Sequence, residues 1–288
     1  DLLETQWQTM QRLAEEALRG RVPYGGFTWG KLAFSQVEGP LLGLAALGGA
    51  PLVTFAAALA GGLLAWAVLP GRATGHRLVV LGAMALVVVV GTVVPAAVTS
   101  DTKTVAVVQG NVPELNFDYN DQRRVITRNN AGVTNRLAEQ VQAGSVEQPD
   151  LVVWPENSSD INPYADARTS ADISAAVDAV DAPTLVGTLV PTADELNVQN
   201  TSIVWLPDDG PDAAYVKRHP MPFGEYIPFR RLARLITTEV DEQPRDFVAG
   251  QEVRVLPMGA TQVRVVICFE VAFDNLVRDV VRDGGEIV

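Results

Sequence analysis

Two stretches near the start of the chain leave little freedom in how it can fold. Leu41 to Leu69 and Leu78 to Val98 contain no charged residue. A helix needs about 20 apolar residues to cross the hydrocarbon core of a bilayer. The second run fits directly. In the first, Gly48-Gly49-Ala50-Pro51 interrupts the pattern, so an interfacial lead-in is expected before a span that starts near Pro51. Proline costs little in a first helical turn, where its missing N–H would be unpaired anyway. A soluble helix pair needs a polar edge to meet water, and these runs have none. Internal runs of this length are not signal peptides either.

The loop between the runs, Pro70-Gly71-Arg72-Ala73-Thr74-Gly75-His76-Arg77, carries two arginines and no acid. The positive-inside rule places such a loop in the cytoplasm and both outer flanks outside it. Trp66 and Trp29 fall where interfacial aromatics are favoured. Ahead of the runs, Leu3, Trp7, Met10, Ala14 and Ala17 recur at helical spacing among Glu4, Gln8, Arg12, Glu15 and Glu16. That spacing gives an amphipathic helix, lying on a membrane surface, packed against other spans, or solvated. The Gly- and aromatic-rich segment 23–30 reads as an ordered interfacial loop. Residues 1–40 thus form an amphipathic helix and loop, and 41–100 form two spans.

Charge then changes abruptly. Residues 1–100 hold six Lys and Arg against five Asp and Glu, whereas 101–288 hold sixteen against twenty-nine. The acidic region is long enough for one α/β domain, and its sign argues against nucleic acid as a partner. Strands are expected at 104–109, 151–154, 184–188, 201–206, 213–216 and 263–267. Helices are expected at 121–142, 170–180 and 271–282. The Pro-, Gly- and aromatic-rich segment 220–248 reads as a long loop, and loops of that length are usually functional. No cofactor or metal motif stands out.

Three reactive side chains each sit where one of these strands gives way to a loop, the place from which rigid scaffolds present chemistry. Glu156 ends Leu151-Val152-Val153-Trp154-Pro155, Lys217 ends Ala213-Ala214-Tyr215-Val216, and Cys268 ends Val263-Arg264-Val265-Val266-Ile267. A carboxylate walled by Trp154 and Pro155 is drawn out of water and suited to taking a thiol proton, unless it is a surface glutamate. Lys217 either balances a developing oxyanion or is an ordinary solvated cation. Cys268, the only cysteine, precedes an expected helix whose N-terminus would favour thiolate; a lone cysteine is otherwise a small buried hydrophobe. A base, a cation and a nucleophile suffice for acyl transfer through a thioester.

The order and spacing of these three residues resemble the nitrilase, or carbon–nitrogen hydrolase, superfamily, helped by Val107-Val108-Gln109-Gly110-Asn111 at the first strand. The resemblance implies a four-layer α-β-β-α sandwich, with a Glu-Lys-Cys triad that forms a covalent acyl-enzyme. Pro222-Phe223-Gly224-Glu225-Tyr226-Ile227-Pro228, Gly25-Gly26-Phe27-Thr28-Trp29-Gly30 and Phe34-Ser35-Gln36 resemble the apolipoprotein N-acyltransferases, in an actinobacterial-like form. That family implies a bacterial inner-membrane protein with an extracytoplasmic catalytic domain, here 101–288. It also implies a phospholipid acyl donor, and the amine of a lipoprotein's diacylglyceryl-cysteine as acceptor. Carried over, Cys268 is the nucleophile, Glu156 the base and Lys217 the oxyanion partner. Glu225 and Glu270 become supporting acids, with Glu270 either orienting Lys217 or simply favoured by the helix dipole. Phe223, Tyr226, Ile227 and Phe229 become candidates for a lipid-facing lid.

Phe269 stands where the family commonly has Tyr, and Phe117 and Tyr119 lie near a position often held by Trp. The sandwich is expected to be incomplete at its C-terminal end, which implies a piece of a longer protein. Two other readings remain: a membrane-tethered amidase with water as acceptor, and a non-catalytic anchor for a polyprenyl-phosphate mannosyltransferase.

Overall fold

The structure is a computed structural model that describes residues 2–71, 73–94, 102–112, 119–241, 244–282 and 287. The chain divides into two compact units, 1–100 with 272–274, and 101–271 with 275–288. Phe117 and the side chain of Tyr119 lie outside the described residues.

Among the described residues, the first unit holds three helices, α1 (Leu2–Arg19), α2 (Ala45–Val68) and α3 (Thr74–Val93), with 3-10 turns at Leu32–Gln36 and Leu42–Leu44. Segments Leu42–Val68 and Thr74–Val93 are long and apolar enough to cross a membrane. The first is kinked at Gly48 and Gly49, just ahead of Pro51, where the sequence placed its break. α1 packs in an unexpected sense. Trp7, Met10, Ala14 and Ala17 face outward, while Thr9, Leu13 and Glu16 turn inward. The Glu16 carboxylate accepts hydrogen bonds from Leu32 N at 2.9 Å and Thr54 Oγ1 at 2.9 Å. Gln8, Arg12 and Glu15 are exposed as well, so the apolar residues Trp7, Met10, Ala14 and Ala17 share the outer side with polar ones, unlike the apolar stripe of a helix folded in water.

The second unit is mixed α/β. Five strands, β1 (Val105–Val107), β2 (Leu151–Val153), β3 (Thr184–Pro191), β4 (Val198–Leu206) and β5 (Gly210–Val216), form one sheet in sequence order. The first three run parallel and the last three antiparallel. The parallel connections carry helices α4 (Tyr119–Gln142) and α5 (Ala167–Val180). Alternation along the strands divides the apolar side chains between two faces. Val152, Trp154, Val186, Ile203 and Trp205 pack with Ile173, Ala176 and Val177 of α5 and with Ala131 and Ala138 of α4. Leu151, Leu185, Val204 and Tyr215 pack instead with a hairpin, β6 (Val255–Met258) and β7 (Thr261–Arg264). A helical layer, a sheet and a second sheet are thus stacked.

Three elements differ from the sequence reading. The strand expected at 263–267 is β7 at Thr261–Arg264, so three residues separate its end from Cys268. β6 lies where no strand was expected; its Pro257 sits at an exposed position of a two-stranded hairpin, where a missing donor costs little. The continuous helix expected over 271–282 is instead a 3-10 turn, Cys268–Ala272, followed by α7 (Asp274–Arg282). The described residues of segment 220–248 are mostly irregular, with one short helix, α6 (Arg230–Ala233), and a 3-10 turn at Glu239–Asp241.

Candidate active site

Glu156, Lys217, Glu225 and Cys268 converge within the second unit. Glu156 is set just beyond β2. Its neighbour Trp154 turns into the helical core, donating from Nε1 to Thr134 Oγ1 at 2.9 Å, so no indole walls the carboxylate as the sequence suggested. The chain then bends through Asn157 at φ 55°, a left-handed conformation that Asn tolerates better than most residues. Ser158 Oγ and Ser159 N both bond to Gly187 O, at 2.9 and 3.0 Å. β3 passes so close at Gly187 that a Cβ there would lie 2.4 Å from Pro155 O and 2.9 Å from Glu156 Cα.

Lys217 follows β5 and is not a solvated cation: only 2% of its side chain is exposed. Its backbone is held on both sides, by Asn200 O at 2.8 Å and by Gly250 N at 2.8 Å. Its Nζ lies 2.9 Å from Glu225 Oε2 and 3.4 Å from Glu156 Oε1. Burial alone would lower the lysine pKa, but the bond and charge of Glu225, with Glu156 behind them, outweigh it and push the pKa up. Lys217 is therefore a permanent cation at neutral pH. Glu225 is fixed in turn by Met221 N at 2.7 Å.

Asn200, on β4, is a member of this cluster that no sequence motif marks. Its Nδ2 donates to Glu156 Oε1 at 2.6 Å and to Glu225 Oε1 at 3.0 Å. It lies in the middle of a strand and belongs to no motif; only pairing with β5 brings it beside Lys217.

Cys268 opens the 3-10 turn and is exposed. Its φ is 51°, a left-handed backbone that costs a non-glycine residue roughly 1–2 kcal/mol and is found where a site over-determines it. The expected effect of a helix N-terminus is corrected by the structure. α7 begins only at Asp274, and the thiol pKa is raised. Partial burial raises it first, then the Glu156 charge and the hydrogen bond to Glu156; Lys217 and the Phe269 N–H pull it down without prevailing. Cys268 rests as a thiol with a carboxylate in hydrogen-bond reach.

Glu270 does neither of the things the sequence offered. It is fully buried, and its carboxylate accepts from Tyr215 OH, Arg218 N, His219 N and Ile267 N at 2.7–3.0 Å. It straps the backbone just after Lys217 to the backbone just before Cys268. Burial, followed by the charge of Glu270, keeps the Tyr215 phenol protonated well above its usual range. Among the lid candidates, Phe223 and Phe229 are largely exposed, whereas Tyr226 and Ile227 are half-buried.

A thiol, a carboxylate and a buried cation thus lie together on a mixed α/β domain. Residues 12–63 match the apolipoprotein N-acyltransferase N-terminal domain family. The chain is 39% identical over 279 residues to the apolipoprotein N-acyltransferase of Mycolicibacterium smegmatis, covering 89% of this chain and 47% of that one. It is 31% identical over 278 residues to the enzyme of that name in Azotobacter vinelandii, covering 91% and 50%. The chain belongs to the apolipoprotein N-acyltransferase family, and it spans about half the length of these curated relatives. Among solved structures, an amidase from Nesterenkonia sp. AN1 superposes with a TM-score of 0.44 at 13% identity, covering 67% of this chain and 66% of the amidase.

Proposed function

We propose that this chain carries the catalytic triad of an N-acyltransferase that moves a fatty acyl group from phospholipid to the N-terminal diacylglyceryl-cysteine of lipoproteins. The observation that carries the reading is that Glu156, whose carboxylate lies 3.4 Å from Lys217 Nζ, is also the charged neighbour that, after burial, pushes the Cys268 thiol pKa up. A thiol that stays protonated near neutrality needs a base at the moment of attack, and Glu156 is in position to be it. In the first half-reaction Glu156 takes the thiol proton and sulfur adds to the ester carbonyl. Lys217 balances the tetrahedral oxyanion. The ester C–O bond then breaks, and Glu156 returns the proton to the departing lysophospholipid oxygen. In the second half the acceptor's neutral α-amine adds to the thioester carbonyl and its surplus proton passes to Glu156. The C–S bond breaks and the sulfur is reprotonated.

The same reading makes residues 101–288 an extracytoplasmic nitrilase-like domain belonging to an α-β-β-α sandwich, in a multi-pass bacterial inner-membrane protein with 41–100 spanning the bilayer. Exposed Phe223 and Phe229, with Leu235 and Ile236 further along the loop, suit a lid opening to lipid. A mannosyltransferase partner is not needed for this chemistry.

Incubation of the full-length protein with phospholipid, followed by mass spectrometry of the Cys268 peptide, tests the proposal. An acyl adduct on that cysteine, discharged by a diacylglyceryl peptide with a free amine, is expected. Discharge to water alone would assign an amidase, and a lack of adduct would remove the thioester route.

A further inference from the structure

The residue that ties the polar cluster together is one that no motif marks. Asn200 is 2% exposed, and both hydrogen-bonding contacts of its amide are donations from Nδ2, to Glu156 Oε1 at 2.6 Å and to Glu225 Oε1 at 3.0 Å. Its Oδ1 is buried and has no partner among the described residues. An orphaned buried carbonyl is a cost to folding that native proteins rarely carry without a reason. The orientation of the amide is unambiguous, because the opposite flip would point a carbonyl at two carboxylates. Asn200 thus gives up one hydrogen bond to make two charge-assisted ones.

The reason lies in the charge arithmetic of the cluster. Glu156 and Glu225 both approach the single ammonium of Lys217, which leaves one negative charge in excess. Glu225 is the nearer and is the only one of the two also held by a backbone donor, Met221 N. Glu156 is 29% exposed and its lysine contact is the longer, at 3.4 Å. Of the protein contacts on Glu156, the shortest is the one from Asn200. We infer that Asn200 is the positioning residue that holds Glu156 against Cys268, fixing the carboxylate with a neutral donor so that it stays available as a base. A second cation in the same place would hold Glu156 as well but would neutralise it. The strand geometry supplies the needed rigidity. Asn200 pairs with Leu189 of β3, and its own carbonyl accepts from Lys217 N, so base, cation and amide share one backbone frame.

This inference rests on the reading of Cys268 and Glu156 as nucleophile and base, and its test separates the two. In the full-length protein, Asn200→Leu keeps the bulk and removes the donor, and Asn200→Ala removes both. Both variants should keep the thermal midpoint within a few degrees, since the orphaned carbonyl goes with the donor. Both should lower kcat for acyl transfer by about tenfold to a hundredfold, the range a charge-assisted hydrogen bond carries, with KM unchanged because Asn200 meets no substrate. Iodoacetamide alkylation of Cys268, followed against pH, gives a readout that packing alone would not move. With Glu156 no longer held beside the thiol, the midpoint should fall, as it should in Glu156→Gln. Parental kcat and alkylation midpoint in Asn200→Leu would overturn the proposal. So would a loss of activity in Asn200→Ala that Asn200→Leu restores, which would assign Asn200 to packing. If the parent forms no acyl adduct, the transferase reading fails, while the alkylation midpoints still decide the role of Asn200.

Discussion

Cys268 opens a 3-10 turn and does not sit at the N-terminus of α7, which begins at Asp274. The thiol is held above its usual pKa by partial burial and by Glu156, so the proposed mechanism activates it by proton transfer during attack. Cys268→Ser should abolish transfer while the protein still accumulates, because a hydroxyl is too weak an acid for a carboxylate base to activate. Acyl transfer measured on membranes containing the variant checks this, and parental activity would end the thioester mechanism. Glu156→Gln removes the charge that helps raise the thiol pKa. The sign is therefore downward: alkylation of Cys268 should reach half its maximal rate at lower pH than in the parent, even as acyl transfer collapses. A midpoint that stays put or rises would mean that Glu156 does not face the thiol.

Elements reach the site by close backbone approach, and this makes small changes costly. At Gly187 an added methyl would meet the backbone of Pro155 and Glu156 at 2.4–3.1 Å, atoms that cannot swing aside. Gly187→Ala should cost roughly 1–3 kcal/mol and slow acylation, by pushing the Glu156 loop off β3. Urea unfolding combined with single-turnover acylation would show both losses; a neutral result would mean that the loop is free to shift. The irregular segment 220–248 is where an element's exposure bears on function. Phe223 and Phe229 are 63% and 69% exposed, and each would contribute on the order of 1.5–3 kcal/mol if buried in lipid. Exchanging both for Ser should impair reaction with phospholipid far more than with a short soluble acyl donor. Equal losses on both donors would assign the loop to packing instead.

At the scale of the whole molecule, the proposed orientation puts the catalytic domain outside the cytoplasm, and the chain's single cysteine makes that measurable. A membrane-impermeant maleimide should label Cys268 in intact spheroplasts; labelling only after lysis would invert the topology. How much of this was legible beforehand follows from the range of the forces involved. The two apolar runs, the kink at Gly48-Gly49 and the alternation of β2, β3 and β4 are local patterns of hydrophobicity and backbone freedom, and the sequence displays them directly. The ends of β2 and β5, ahead of Glu156 and Lys217, are short-range signals too, a periodic run followed by a reactive side chain, whereas β7 stops at Arg264, short of Cys268. What the sequence could not decide is what faces what. Trp154 turns away from Glu156, and α1 turns its apolar stripe outward. Glu270 binds backbone instead of Lys217, and Asn200 reaches two carboxylates 44 and 25 residues away in the chain. Those outcomes depend on strand register and on burial within the folded domain, which set the neighbours, and with them the proton affinity, of each group.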